Sequence, residues 1–176
     1  WSMRDRAQVR QVAILVSRED HCLYDLLIRH RSGELHCDIA TVISNHEDLA
    51  PVAAQFGVPF HLVPVTTGSV AEAEATEQAL LDSAGVELIV LARYMRILPA
   101  ASCWKYAGGR IINLHHGLLP SFPGMQPYHE AFASRMLTYG ATCHFIVPEL
   151  DAGCQIIYQS TFMVPPGMSR DEIIRR

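Results

Sequence analysis

Residues 11–27 read QVAILVSREDHCLYDLL, and the two halves of this stretch obey different periods. Gln11–Val16 is a short apolar run rich in β-branched residues, the pattern of a strand buried on both faces. Ser17 and Asp20 are residues that cap helices, and Cys22, Leu23, Leu26 and Leu27 then recur at helical spacing. A buried strand that feeds directly into a helix is the first half of a βαβ unit.

The unit recurs along the chain. Ile39–Ile43 (IATVI) is a second strand, and Ser44 with Glu47 has the S-x-x-E spacing of a capping box. Leu49, Val52, Ala53 and Phe56 follow at i, i+3, i+4 and i+7, and Gly57 ends that helix. Pro59–Val63 is a shorter third strand. Ser69 and Glu72 form a further capping box before an alanine-rich helix that stops near Gly85, and Val86–Leu91 (VELIVL) is a fourth strand. A short helix around Pro99–Trp104 precedes a fifth strand, Arg110–Leu114. Tyr128–Tyr139 reads as a helix. Thr142–Val147 and Gln155–Phe162 read as two late strands joined by a turn at Pro148–Gly153. Strand–helix alternation at this spacing predicts an α/β fold with a mainly parallel sheet.

Composition sets limits on function. The 176 residues favour one domain, and 49% apolar with 18% charged residues can bury a sizeable core. A net charge of −4 leaves no general basic footprint for nucleic acid. No apolar run reaches membrane-spanning length, and the polar, basic start WSMRDRAQVR has no apolar core of a signal peptide. The five cysteines (Cys22, Cys37, Cys103, Cys143 and Cys154) are odd in number and lack a C-x-x-C pair, so they read as reduced, mostly buried thiols in a cytoplasmic protein. The histidines show neither tight metal-ligand spacing nor H-E-x-x-H, so no metal site is expected. No G-x-G-x-x-G follows the first strand, which argues against a nicotinamide-binding domain.

The chemistry concentrates where the fifth strand ends, in IINLHHGLLPSFPG at residues 111–124. In an open α/β sheet, ligands sit beyond the carboxyl ends of the strands. Asn113 and His115 are two residues apart, so both can point to one side of an extended chain. An Asn amide and an imidazolium can stabilise an oxyanion growing on an attacked carbonyl. Asp151, in the ELDAG turn, can orient the histidine or take a proton from an attacking water. With no serine or cysteine nucleophile elbow, direct attack by water or an amine is more economical than a covalent intermediate. By spacing alone, Asn113 and His115 could equally serve only to satisfy backbone groups, with Asp151 a turn former.

NLHHGLLPSFPG followed by GATCHFIVPELDAG resembles the formyltetrahydrofolate-using transformylase and deformylase family, whose pattern is N-x-H, L-P-x-F-x-G, G-x-T-x-H and D-A-G. The resemblance runs from Val12 to about Gln159. It implies a Rossmann-like three-layer formyltransferase fold, a mainly parallel central sheet with antiparallel late strands, and a catalytic trio of Asn113, His115 and Asp151. It also implies that Arg93, Tyr94, Met95, Arg96, Ile97 and Leu98 (RYMRIL) wrap a pteridine ring, largely through backbone groups. His116, Leu150, Ala152 and Gly153 would complete the folate contacts.

SREDHCLYDLL, SNHEDL, LARYMRIL, the double His and PYHEAF resemble the deformylase branch, which implies hydrolysis of 10-formyltetrahydrofolate to formate and tetrahydrofolate. The formate would feed purine synthesis and the reaction would balance the one-carbon folate pool. No further cofactor is implied, and a cytoplasmic homo-oligomer is expected. The alternative is formyl transfer to an amine such as glycinamide ribonucleotide. Against it, Glu19 and Asp20 lie where that reaction needs a phosphate cradle at a helix start. The resemblance further implies that residues 1–10 are a linker after an absent N-terminal regulatory domain of the ACT type. Residues 11–176 would be the catalytic domain, with its C-terminal helix cut short. Gly117, where a serine is usual, Met125, Gln126 and Cys154 depart from the family pattern.

Overall fold

The computed structural model describes residues 9–106, 108–146 and 155–175. The chain forms two compact units, Trp1–Ser102 and Cys103–Arg176.

In the first unit the order is β1 (Arg10–Val16), α1 (His21–Arg31), β2 (Cys37–Ser44), α2 (Ala50–Gln55), β3 (Phe60–Leu62), α3 (Val70–Ser83) and β4 (Leu88–Leu91). All four strands are parallel: β1 lies between β2 and β4, and β3 pairs with the outer side of β2. The chain steps from β1 out to β2 and β3, then returns to the other side of β1 for β4. The carboxyl ends of β1 and β4 therefore form a topological switch point.

The reading of residues 11–16 holds. Val12, Ile14 and Val16 enter one core with Leu23, Leu27, Leu49, Val52 and Ala53. Ala13 and Leu15 alternate to the opposite face and are equally buried. Burying Ile14, Leu15, Leu23 or Leu27 contributes about 1.5–3 kcal/mol each. α1 closes with Arg29, His30 and Arg31 in its last turn, where cations complement the helix dipole.

The capping details differ from the sequence reading. Asp20 is the N-cap of α1 but makes no side-chain cap bond. Ser17 does not cap it either, because its hydroxyl bonds Asn45 and the Met95 amide. Ser44 is the last residue of β2, and its hydroxyl donates to the Ser17 carbonyl and accepts from His46. No capping box forms there, and α2 begins six residues later. Ser69 is the N-cap of α3, yet its hydroxyl accepts the Thr66 amide rather than a helical one. At each of the three serines a backbone or side-chain partner outside the helix takes the hydroxyl first.

The boundary between the units falls within α4 (Ala100–Lys105). The second unit contains β5 (Ile111–His115), α5 (Pro127–Ala133), β6 (Thr138–Phe145), β7 (Ile156–Met163) and α6 (Arg170–Ile174). β5 pairs antiparallel with β6, and β6 antiparallel with β7. The expected helix over 128–139 stops at Ala133, Arg135 takes a left-handed φ of 55°, and Tyr139 belongs to β6. Tertiary packing overrides local spacing here. Tyr139 pairs with Phe162 across the ladder, and its ring lies 5.5 Å from Tyr128 and 6.1 Å from Phe162. These rings, with Ala131, Val164 and Ile173, make the unit's core. α6 carries a complete capping box between Ser169 and Glu172.

Among the described cysteines only Cys103 is fully buried; Cys22, Cys37 and Cys143 are half-buried, and all four are free thiols. Burial pushes each of the four thiols up from its ordinary pKa, away from the reactive thiolate.

Candidate active site

The second unit brings Asn113 and His115 onto one face by strand geometry. In the β5–β6 ladder Asn113 lies opposite His144, and His115 opposite Thr142. Directly opposed residues of an antiparallel pair project to the same side. Asn113 Nδ2 is 3.2 Å from His144 Nε2. His144 is buried, and its Nδ1 is 3.2 Å from the Phe145 carbonyl oxygen. His115, 6% exposed, donates from Nε2 to the Phe122 carbonyl at 2.8 Å. That bond leaves Nδ1 as the ring position that can carry a second proton. His116 is half-buried immediately after β5.

The loop after His115 is held by one hydroxyl. Thr142 Oγ1 donates to the Gly117 carbonyl at 2.7 Å and accepts the Leu119 amide at 3.1 Å. Gln159 Nε2, from β7, reaches both Thr142 Oγ1 at 2.9 Å and the Leu119 carbonyl at 2.8 Å. Thr142→Val keeps the shape but orphans the buried Leu119 amide and Gly117 carbonyl. Each such group costs about 1–3 kcal/mol, so the variant is expected to lose at least about 2 kcal/mol of unfolding free energy by urea titration. A loss below about 0.5 kcal/mol would contradict the assignment.

Gly117 itself sits in a confined place. A Cβ there would come within 2.4 Å of Pro127 Cβ and 2.9 Å of His115 Nε2. Glycine thus lets the strand end, the imidazole and the start of α5 approach closely.

Within the first unit, the Arg93–Leu98 loop leaves β4 at the switch point. Arg93 has φ 60°, an uncommon conformation for a residue with a side chain. Among the described residues its buried Nε has no hydrogen-bond partner. Tyr94 Oη donates to Glu77 Oε2 at 2.8 Å, and the Met95 amide donates to Ser17 Oγ at 3.1 Å. Ser17 Oγ in turn donates to Asn45 Oδ1 at 2.9 Å. Leu98 is buried. Met95 and Ile97 are left exposed, Ile97 at 70%. The loop is therefore anchored at Tyr94, the Met95 amide and Leu98, and leaves the Met95 and Ile97 side chains exposed.

Burial pushes the Glu77 carboxyl above its ordinary value; the Tyr94 hydroxyl and the Arg96 charge only partly oppose this. Burial, and then Glu77, likewise push the Tyr94 phenol upward. A carboxyl whose pKa is higher folded than unfolded binds its proton more tightly in the native state. Its contribution to stability is full below the ordinary value of 4.5 and is lost as pH rises through the raised one. Glu77→Gln keeps an acceptor for Tyr94 and removes the titration. It is expected to unfold at the same or a higher temperature than wild type at about pH 8. Its melting temperature should also fall less as pH rises from 4.5. A markedly lower melting temperature at alkaline pH would show that the ionised carboxylate is itself stabilising.

Among the residues expected from sequence, Asn113 and His115 meet on one face, and residues 93–98 form one anchored loop. Leu150, Asp151, Ala152 and Gly153 lie outside the described residues. Glu77, Asn45 and Gln159 escaped the sequence reading. Each acts through a bond to a residue remote along the chain, and only the polar break YQST in β7 hinted at Gln159. Among the described residues no group of three or more His, Cys, Asp or Glu is placed to hold a metal ion, and no helix is long and apolar enough to cross a membrane.

Residues 10–176 match the formyl transferase family. Over 176 residues the chain is 42% identical to a formyltetrahydrofolate deformylase of a Synechocystis species, covering 100% of this chain and 61% of that protein. It is 39% identical over 153 residues to the Bacillus subtilis formyltetrahydrofolate deformylase, covering 87% and 51%. The crystal structure of a formyltetrahydrofolate deformylase from Pseudomonas syringae pv. tomato superposes with a TM-score of 0.91 at 44% identity, covering 96% of this chain and 56% of that one. A glycinamide ribonucleotide transformylase from Symbiobacterium toebii superposes with a TM-score of 0.87 at 27% identity, covering 99% and 83%. The chain thus spans about half to three fifths of the deformylases it matches. The parallel strands and the antiparallel late ladder are those of a formyltransferase fold, and the chain belongs to the formyl transferase family.

Proposed function

We propose that the protein hydrolyses 10-formyltetrahydrofolate to formate and tetrahydrofolate. The observation that carries this reading is the shared face of Asn113 and His115 at the end of β5, in a chain 42–44% identical to named deformylases. In the proposed reaction Asp151 takes a proton from a water whose oxygen attacks the formyl carbon. An Asn113 amide hydrogen and an imidazolium His115 hold the oxyanion that forms. The carbon–nitrogen bond then breaks, and the leaving folate nitrogen takes a proton from His115 or through water.

Arg93–Leu98 binds the pteridine ring with backbone groups, and His116, Leu150, Ala152 and Gly153 contribute further contacts to the folate. No cofactor beyond the folate substrate takes part. The formate goes to purine synthesis, and hydrolysis balances the one-carbon folate pool. We place the protein in the cytoplasm as a homo-oligomer.

The transformylase likeness favours a second reading, formyl transfer to an amine. Glu19 and Asp20, next to the start of α1, oppose it, because they would repel a phosphorylated acceptor. Formate release and loss of 10-formyltetrahydrofolate, measured with the full-length protein, test the proposal. Stoichiometric formate that is indifferent to added glycinamide ribonucleotide is expected. Consumption of the folate only when that amine is present would replace hydrolysis by transfer.

A further inference from the structure

The two ends of an asparagine amide are nearly the same size, so shape alone does not decide which faces a ligand. The decision matters at position 113. An oxyanion is held by an N–H and repelled by a carbonyl oxygen. Two observations bear on it. The first is the direct pairing of Asn113 with His144 across β5 and β6, so the strand ladder sets their approach. The second is the bonding of the His144 ring. Its Nδ1 faces the Phe145 carbonyl at 3.2 Å, and a carbonyl only accepts. Nδ1 therefore carries the hydrogen. In the ring protonated at Nδ1 alone, Nε2 only accepts, and the Asn113 group 3.2 Å away is then the amide nitrogen.

We infer that His144 is a positioning residue: its Nδ1–H tautomer, set by the Phe145 carbonyl, turns the Asn113 amide so that one N–H is bound to Nε2 and the other serves as the donor to the oxyanion. This rests on the role proposed above for Asn113. His144 touches no reacting atom. It acts by excluding the flipped amide, in which the oxygen would face Nε2 and two lone pairs would oppose each other.

Four variants of the full-length protein separate the possibilities: His144→Leu, His144→Gln, Asn113→Ala and the Asn113→Ala/His144→Leu double. Each is first checked for wild-type-like circular dichroism. His144→Leu is expected to lower kcat for formate release about tenfold or more, the worth of one oriented hydrogen bond, with KM within about twofold. His144→Gln carries its side-chain oxygen near the Nε2 position and should recover most of the loss. The double variant should be no more than about twofold slower than Asn113→Ala, since an amide that is absent cannot be misoriented. Multiplying losses in the double, or wild-type kcat in His144→Leu beside an inactive Asn113→Ala, would overturn the inference while leaving the role of Asn113 intact.

Wild-type activity in Asn113→Ala would overturn the role of Asn113 and this inference with it. If the wild-type protein released no formate, the hydrolytic reading would fail separately. Imidazole nitrogen-15 shifts of His144 in the wild type test the tautomer without substrate, and they serve equally if the variants do not fold. A protonated Nδ1 with a bare Nε2 is expected, and any other state of the ring overturns the inference.

Discussion

Formate release is expected to fall roughly 10²–10³-fold in Asn113→Ala and in His115→Ala, the usual consequence of removing one donor to a developing oxyanion. Both variants also lose a hydrogen bond within the protein. Asn113 is half-buried in the middle of β5 and its amide lies 3.2 Å from Nε2 of the buried His144, so its truncation removes that donor. His115 is 6% exposed and donates to the Phe122 carbonyl, so its truncation removes the donor from a part-buried acceptor and leaves a space behind it. That variant should unfold with about 1–3 kcal/mol less free energy as well. Its rate must therefore be read at a temperature where circular dichroism shows it folded. The loss should fall on kcat more than on KM, because in the proposed reaction both groups act on charge that exists only after attack has begun. Turnover within about fivefold of wild type in folded Asn113→Ala would remove the amide from the chemistry.

The largest expected structural effect comes from adding one carbon at Gly140. A Cβ there would lie 2.0 Å from the Ser160 carbonyl oxygen and 2.9 Å from Leu118 Cδ2. The leucine tip can turn aside. The carbonyl cannot, because it belongs to the neighbouring strand of the β6–β7 ladder, where Gly140 pairs with Thr161 and Ala141 with Ser160. Relief requires β7 to shift away from β6 over several residues. Overpacking in a well-formed core commonly costs 1–3 kcal/mol, and a rigid backbone obstacle lies at the upper end or beyond it. Gly140→Ala is expected to lose at least about 3 kcal/mol in urea unfolding, or to appear only in the insoluble fraction. A loss under about 1 kcal/mol would mean that the strands separate more easily than the ladder indicates.

Strands were more legible than caps. Buried parallel strands advertise themselves as short β-branched runs, and Gln11–Val16 and Ile39–Ile43 were found within a residue or two at most ends. The S-x-x-E spacing occurs at Ser44, Ser69 and Ser169, but a complete box forms only at Ser169. A three-residue pattern does not register a competing partner, and Ser44 finds one in the carbonyl of Ser17, 27 residues away. β6 was read four residues late for a related reason. Thr138 and Tyr139 favour strands, but they follow directly on a helical spacing with no Gly or Pro between, and their pairing with β7 decides the outcome. At the site, Asn113 and His115 were legible because both residues of the motif belong to one strand. The Tyr94–Glu77 and Thr142–Gln159 bonds were not, since they join segments 17 residues apart.

Gly117 carries a consequence for sequence change. The space beside its Cα is already filled by the ring of Pro127 and by His115 Nε2. Positions 115, 117 and 127 therefore do not mutate independently. A larger residue at 117 requires the start of α5 to shift or Pro127 to be replaced by a smaller residue, so a change at 127 alters which residues position 117 accepts with the imidazole in place. Screening paired libraries at 117 and 127 should yield active combinations that neither position offers alone.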